Sequence, residues 1–130
     1  MNMELSDTQC QIKESVAKLL EKFDDQYWLE RDSSGEFPEE FCRAIADNGW
    51  MGIAMPEEYG GIGASVLDTV LVLEEIAKGC YVTAMAVLGE VGTQCRILSH
   101  YGSDELREKY LPKLLKGKCI LAICMTEPDV

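Results

Sequence analysis

Apolar residues recur at helical spacing along most of the chain, interrupted by glycine, proline and capping residues. Ser6 and Gln9 stand at the separation of a capping box, with Leu5 and Cys10 placed as its hydrophobic staple. Ile12, Val16, Leu19, Leu20 and Phe23 follow, which predicts an amphipathic helix of about five turns. Asp24 to Glu36 is polar and includes Ser33-Ser34-Gly35, so it reads as a connection that Tyr27 and Trp28 pin to the core. Pro38 suits the first turn of a second helix, Glu39 and Glu40 its positive end, and Gly49 its stop. Phe41, Ile45 and Ala46 supply its buried stripe. Trp50 to Gly61 is a short apolar segment running into a loop punctuated by proline and glycine. Ser65 and Asp68 open a third helix, whose apolar residues from Val66 to Ala77 cover nearly its whole circumference. A helix apolar all round is buried from several sides, so this one is expected to be central, with Gly79 closing it.

Residues 80–101 form a long helical stretch closed by Gly102. Ser103 caps another helix carrying Leu106 and Tyr110, in which Pro112 predicts a kink or a fresh start before Leu114 and Leu115. Gly117 stops it. The run from Cys119 to Met125 differs in kind. It is continuously apolar, follows a glycine and precedes Thr126-Glu127-Pro128, which fits a buried strand. No second strand is predicted to pair with it, and unpaired buried backbone is unfavourable, so more chain is expected after Val130. The expected fold is all-α, a bundle of five or six helices over residues 1–117, with residues 118–130 beginning a β-domain. Left alone, that strand is expected to pair with a second copy of the chain or to fold back over bare apolar surface.

An apolar content of 47% in 130 residues describes one globular domain with a single core. No stretch reaches the ~18–20 uncharged apolar residues of a spanning helix, so no membrane insertion is expected. The N-terminus lacks a basic region before an apolar run, which makes a signal peptide absent and a cytoplasmic location the expectation. The net charge is −11, with 6 basic and 18 acidic residues in 1–95 against 6 and 5 in 96–130. An acidic surface of that kind repels nucleic acid and anionic lipid. Arg107, Lys109, Lys113, Lys116 and Lys118 are interleaved with acids and read as a solvated face. Six cysteines without a C-x-x-C pair, and one histidine, argue against a metal site and for buried thiols in a reducing compartment. The pairs Glu39-Glu40, Glu57-Glu58 and Glu74-Glu75 are expected to be solvated, and His100 to sit on the surface near a helix C-terminus.

Two segments carry a resemblance. Met55-Pro56-Glu57-Glu58-Tyr59-Gly60-Gly61-Ile62-Gly63, followed by a helix with Glu74-Glu75-Ile76-Ala77, resembles the P-E-x-Y-G-G-x-G loop and E-E-[IL]-A helix of acyl-CoA dehydrogenases. Ala122 to Pro128 is similar to the first strand of that family's middle domain and its T-E-P turn. Tyr101-Gly102-Ser103 and Lys109-Tyr110-Leu111-Pro112, lying between them, resemble a further family helix start. In order, these motifs cover the chain from about Leu5 to its end.

The resemblance implies a subunit of three parts, with a helical N-terminal domain, a middle β-domain and a C-terminal helical bundle. FAD lies between the last two, and all three enclose the acyl chain of an acyl-CoA thioester. A carboxylate of the C-terminal bundle removes the α-proton while the β-hydride passes to the flavin, so no catalytic residue is assigned here. Electrons leave to a transfer acceptor, and the subunit forms a homo-oligomer. By resemblance Thr126 donates to the flavin edge that gains charge on reduction, with the backbone N–H near Met125 beside it. Ile123 stands where the family often has an aromatic residue and offers apolar contact without stacking. Gly89 and Gly92 each cost ~1 kcal/mol in a helix interior. They serve close helix packing or, together with Thr93, make room for an acyl tail. Glu90, Thr93 and Gln94 hint at a polar tail or a helix end meeting water. Alternatives are a stand-alone helical module that adds its strand to a partner's sheet, or the same fold working as an acyl-CoA oxidase or nitroalkane oxidase.

Overall fold

The computed structural model describes residues 4–80, 91–119 and 121. Among them are six helices: α1 (Asp7–Leu20), α2 (Asp25–Ser34), α3 (Glu39–Asp47), α4 (Val66–Gly79), α5 (Val91–Tyr101) and α6 (Asp104–Leu115). Two 3₁₀ turns, Trp50–Gly52 and Glu57–Tyr59, lie between α3 and α4. The all-α expectation holds among the described residues. No helix there is long and apolar enough to cross a membrane.

Capping fixes where the helices begin. Ser6 and Gln9 form the expected box on α1, and Ser65 and Asp68 form one on α4. Ser103 accepts the Leu106 N–H at the start of α6. The first helix is shorter than its apolar pattern, because the chain turns after Leu20 while Phe23 still reaches the core.

The segment from Asp24 to Glu36, expected as a connection, contains the helix α2. Asp24 caps it by accepting the Tyr27 N–H at 3.0 Å, and Gly35 ends it in the left-handed conformation. None of its residues is fully buried, so it lacks the apolar stripe that marks a helix in sequence. Tyr27 and Trp28 do pin it to the core, Tyr27 in an edge contact with Phe23 at a centroid distance of 5.0 Å and Trp28 in one with Phe41 at 5.1 Å.

Pro112 gives no fresh start, since α6 continues through it as one helix. Pro112 and Glu108 are both exposed, so water can serve the carbonyl that a proline N–H cannot. The strand expected from Cys119 to Met125 falls outside the described residues except for Cys119 and Leu121, and neither is in a strand.

The helices pack in two pairs, α1 on α4 and α5 on α6, and the 3₁₀ turn at Trp50–Gly52 touches α3, α5 and α6. Val16, Phe41, Ile45, Val72, Ile76, Cys95, Leu111 and Leu114 have no exposed surface and form the common core. The turn needs glycine at a close approach. A Cβ on Gly61 would overlap the Met55 carbonyl oxygen and Cβ, and Met55 O already accepts the Gly63 N–H at 2.7 Å.

The expectation that α4 is buried on all sides is corrected. Leu71, Val72 and Ile76 are buried, but Val66 (65%), Leu67 (51%) and Val70 (50%) face outward. Among the described residues α4 packs chiefly on α1.

Glu75 is a second correction, because it is only 5% exposed rather than solvated. Its carboxylate accepts from Lys78 at 2.7 Å and from Lys13 of α1 at 3.0 Å. Burial alone would push the Glu75 carboxyl up, but the two ammonium groups outweigh it and hold its pKa below the ordinary 4.5. Lys13 is raised above its ordinary 10.5, by its hydrogen bond to Glu75 first and then by that to Glu74.

Two predictions follow from these contacts. Gly61→Ala should destabilise the domain by about 2–3 kcal/mol, because the clash is with backbone rather than a flexible side-chain end; equilibrium urea unfolding measures it. Glu75→Gln should cost on the order of 1–2 kcal/mol at neutral pH. A carboxyl whose pKa is depressed in the folded state stabilises above its unfolded value, here 4.5, and stops doing so as pH falls through its folded value. Lys13, raised on folding, contributes below 10.5 and loses its contribution as pH rises through its folded value. The gap between wild type and Glu75→Gln should therefore narrow in acid. Equal gaps in unfolding midpoints at neutral and strongly acidic pH would assign the effect to shape rather than charge.

Candidate functional site

The residues singled out by the sequence gather at two places in the chain, the start of α5 and the segment that leaves α6. Thr126, Met125 and Ile123, expected to face a flavin, lie outside the described residues, as does Gly89. Gly92 and Thr93 lie in the first turn of α5. Gly92 is half-buried, and no heavy atom of the described residues lies within 4 Å of where its Cβ would be. Among those residues close packing does not require a glycine here. Thr93 is exposed beside it.

Gln94, read with Glu90 and Thr93 as a hint of a polar tail or of a helix end meeting water, does not itself meet water, since it is 3% exposed. Its side-chain oxygen accepts the backbone N–H of Leu121 at 3.1 Å, across 27 positions of sequence. The signal was present in the register of α5. Cys95 and Ser99, one helical turn apart, are both buried, and Gln94 precedes them on the same side. A buried polar side chain requires partners, and the Leu121 N–H is one of them.

Cys95 lies beside Gln94 with no exposed surface. Burial pushes its thiol up to about 11, and nearby Cys119 adds to the shift. Cys42 is likewise raised to about 11 by burial. Thiols held so far from ionisation are poor nucleophiles and behave as small hydrophobes. No group of metal-ligating side chains is assembled among the described residues. Glu39, Glu40, Glu57 and Glu58 are exposed as expected, and so is His100 in the last turn of α5.

Tyr59 ties the glycine-rich loop to α6, because its hydroxyl accepts from the Arg107 guanidinium at 3.4 Å. A cleft of about 310 Å³ lies beside it, walled by Gly49, Gly52, Gly60, Pro112, Leu115 and Lys116 among others. Two larger clefts flank the Arg31–Glu36 ion pair and carry more carboxylates than cations. That balance does not suit the diphosphate of FAD.

The model for the acyl-CoA dehydrogenase N-terminal domain matches residues 6–118. Isovaleryl-CoA dehydrogenase, mitochondrial, of Pongo abelii is 35% identical over 127 residues, covering 96% of this chain and 30% of that protein. Butyryl-CoA dehydrogenase from Megasphaera elsdenii superposes with a TM-score of 0.84 at 28% identity, over 98% of this chain and 34% of that one. A chain in the structure of the electron transferring flavoprotein of Acidaminococcus fermentans superposes with a TM-score of 0.81 at 30% identity, over 92% and 32% of the two chains. The chain spans about a third of the length of the curated relatives it matches. Since the matched range takes in every helix from α1 to α6, the chain belongs to the acyl-CoA dehydrogenase family, in that family's N-terminal domain.

Proposed function

We propose that the chain serves as the N-terminal domain of an FAD-dependent acyl-CoA dehydrogenase that introduces a double bond between the α and β carbons of an acyl-CoA thioester. The observation that carries this reading is the family match over residues 6–118. In this reading residues 1–117 are the helical domain and residues 118–130 begin the middle β-domain. The left-handed Gly117 just after α6 supports a boundary there.

FAD, when bound, would supply the acceptor for the hydride of the β-carbon. The part of this chain is to wall the acyl slot and to present donors to the flavin edge. Gly89, Gly92 and Thr93 line the slot, and the space that the described residues leave beside Gly92 supports the role of that residue. Ile123, Met125 and Thr126 meet the flavin, with the Thr126 hydroxyl donating to the edge that becomes negative. The outward apolar face of α4 supports coverage by the other domains or by further subunits of a homo-oligomer. Likeness to a chain in the flavoprotein structure supports an electron-transferring flavoprotein as the acceptor. The inert thiols of Cys42 and Cys95 suit work in the cytoplasm.

The polypeptide encoded by the natural gene, with whatever follows Val130, should carry flavin absorbance that acyl-CoA bleaches anaerobically. The 130-residue chain alone should retain none; a yellow preparation of that chain would place the flavin site among these helices. In the flavin-binding polypeptide, Thr126→Val should weaken flavin binding or slow flavin reduction by about tenfold, since one charge-assisted hydrogen bond is lost at nearly constant shape. Unchanged affinity together with unchanged reduction kinetics in stopped-flow would return Thr126 to a structural role.

A further inference from the structure

We infer that Cys95 and Cys119 form a redox-sensitive clasp, which closes as a disulfide when the surrounding thiol pool turns oxidising and ties the segment leaving α6 to α5. Both are free thiols. The hydrogen bond from the Leu121 N–H to Gln94 Oε1, 3.1 Å long, brings that segment onto α5. Cys95 follows Gln94 in the helix, and Cys119 precedes Leu121 by two positions. Two residues of chain reach at most about 7 Å, so the bond keeps Cys119 in the neighbourhood of Gln94 and Cys95. Cys119 is half-buried and packs against the core cluster in which Cys95 has no exposed surface. The two thiols also sense each other, because Cys119 adds to the upward shift of Cys95. Cys42 is raised just as far by burial and then by Glu39, without help from a second thiol.

Exposure decides the order of the steps. Cys95 offers no surface to a small disulfide such as oxidised glutathione, whereas Cys119 does. The Cys119 thiolate attacks one sulfur of that disulfide, a mixed disulfide forms, and one glutathione thiolate leaves and takes up a proton. Cys95 then attacks Cys119 Sγ, the Cys95–Cys119 bond forms, and the second glutathione leaves with the proton that Cys95 has given up. Two protein thiols are oxidised and one glutathione disulfide is reduced to two thiols. Burial holds the Cys95 thiol up at about 11, so only a fraction on the order of 10⁻⁴ is ionised at neutral pH and the second step is slow. Proximity within one chain offsets that handicap. A reducing pool keeps the clasp open, and the segment is then held by its hydrogen bond and packing alone.

The test uses the 130-residue chain with Cys80→Ser and Cys124→Ser, which leaves Cys95 and Cys119 as the single cysteines of the tryptic peptides 79–96 and 119–130. After incubation with oxidised glutathione, a digest without reductant should contain these two peptides joined, and dithiothreitol should separate them. Adding Cys95→Ser should leave one glutathione on Cys119 instead. Adding Cys119→Ser should leave Cys95 a free thiol. Closure of the mixed disulfide should quicken about tenfold per pH unit from neutral to mildly alkaline pH, as the buried thiol ionises. Amide hydrogen exchange at Leu121 should slow by about tenfold or more once the clasp is closed. If the doubly substituted chain does not fold, fragmentation of the joined peptides from the wild type in the mass spectrometer tells a Cys95–Cys119 bond from one to Cys80 or Cys124. A glutathione that stays on Cys119 beside a free Cys95, or a Cys95 bonded to any other cysteine, would overturn the pair. A joined pair with unchanged Leu121 exchange would overturn the clasp.

Discussion

The buried carboxylate of Glu75 is the interaction on which the arrangement of α1 and α4 depends. Two contacts fix these helices along their length, Gln9 to Asp68 at 3.1 Å and Lys13 to Glu74 and Glu75 at 3.0–3.1 Å. Both sequence positions rise together, so the two helices run in the same direction with their capped N-termini at one end. Parallel helix dipoles repel, and the opposing charges along the seam offset that repulsion. A carboxylate this deeply buried is tolerated only when paired, and removing a partner leaves an uncompensated charge. The seam is therefore specific. Sliding α1 by one turn would part Lys13 from Glu75 and Gln9 from Asp68 at once.

The second constraint is the loop from Met51 to Ala64, which seats the other helix pair. Met51, Ile53 and Met55 are buried, and the Ile53 and Met55 N–H groups donate to the carbonyls of Trp50 and Gly52. The Ile62, Gly63 and Ala64 N–H groups donate to the carbonyls of Gly52, Met55 and Ile53. The loop folds back on itself so closely that Gly52 and Gly61 meet, and a Cβ on Gly52 would crowd Leu115 of α6 as well. The glycines of this motif thus answer to packing between the loop and α6. Arg107 of α6, donating to Tyr59, closes the same contact from outside. The family signature in this stretch is accounted for by the architecture of the domain, without assigning the loop any chemistry.

Much of the fold was legible because local chemistry and tertiary structure agree. Ser6, Ser65 and Ser103 each cap the helix they were expected to cap, and Gly49 and Gly117 end theirs in the left-handed region. What was not legible has a common cause. The helix α2 carries good caps but no buried stripe, because aromatic contacts at one end hold it rather than a face along its length. The exposure of α4 and the burial of Glu75 depend on which helix lies alongside, and periodicity does not report neighbours. Gln94 was misread for the same reason. Its burial could be inferred from the register of Cys95 and Ser99, but its partner lies 27 residues away. At the candidate site, the motif Thr126-Glu127-Pro128 was readable as a resemblance and lies outside the described residues.

The outward apolar face of α4 and the tether at Gln94 point to the same division of labour. Leaving Val66, Leu67 and Val70 largely in water forgoes burial worth roughly 25 cal/mol per Å², which a covering surface would recover. That gain depends on area and would tolerate small shifts in how the cover sits. The Gln94 bond contributes far less energy but depends on which N–H it meets, so it specifies register in a way that an apolar face does not. An apolar face and a buried hydrogen bond therefore answer to different constraints, the one to the area that is covered and the other to the atom that is met.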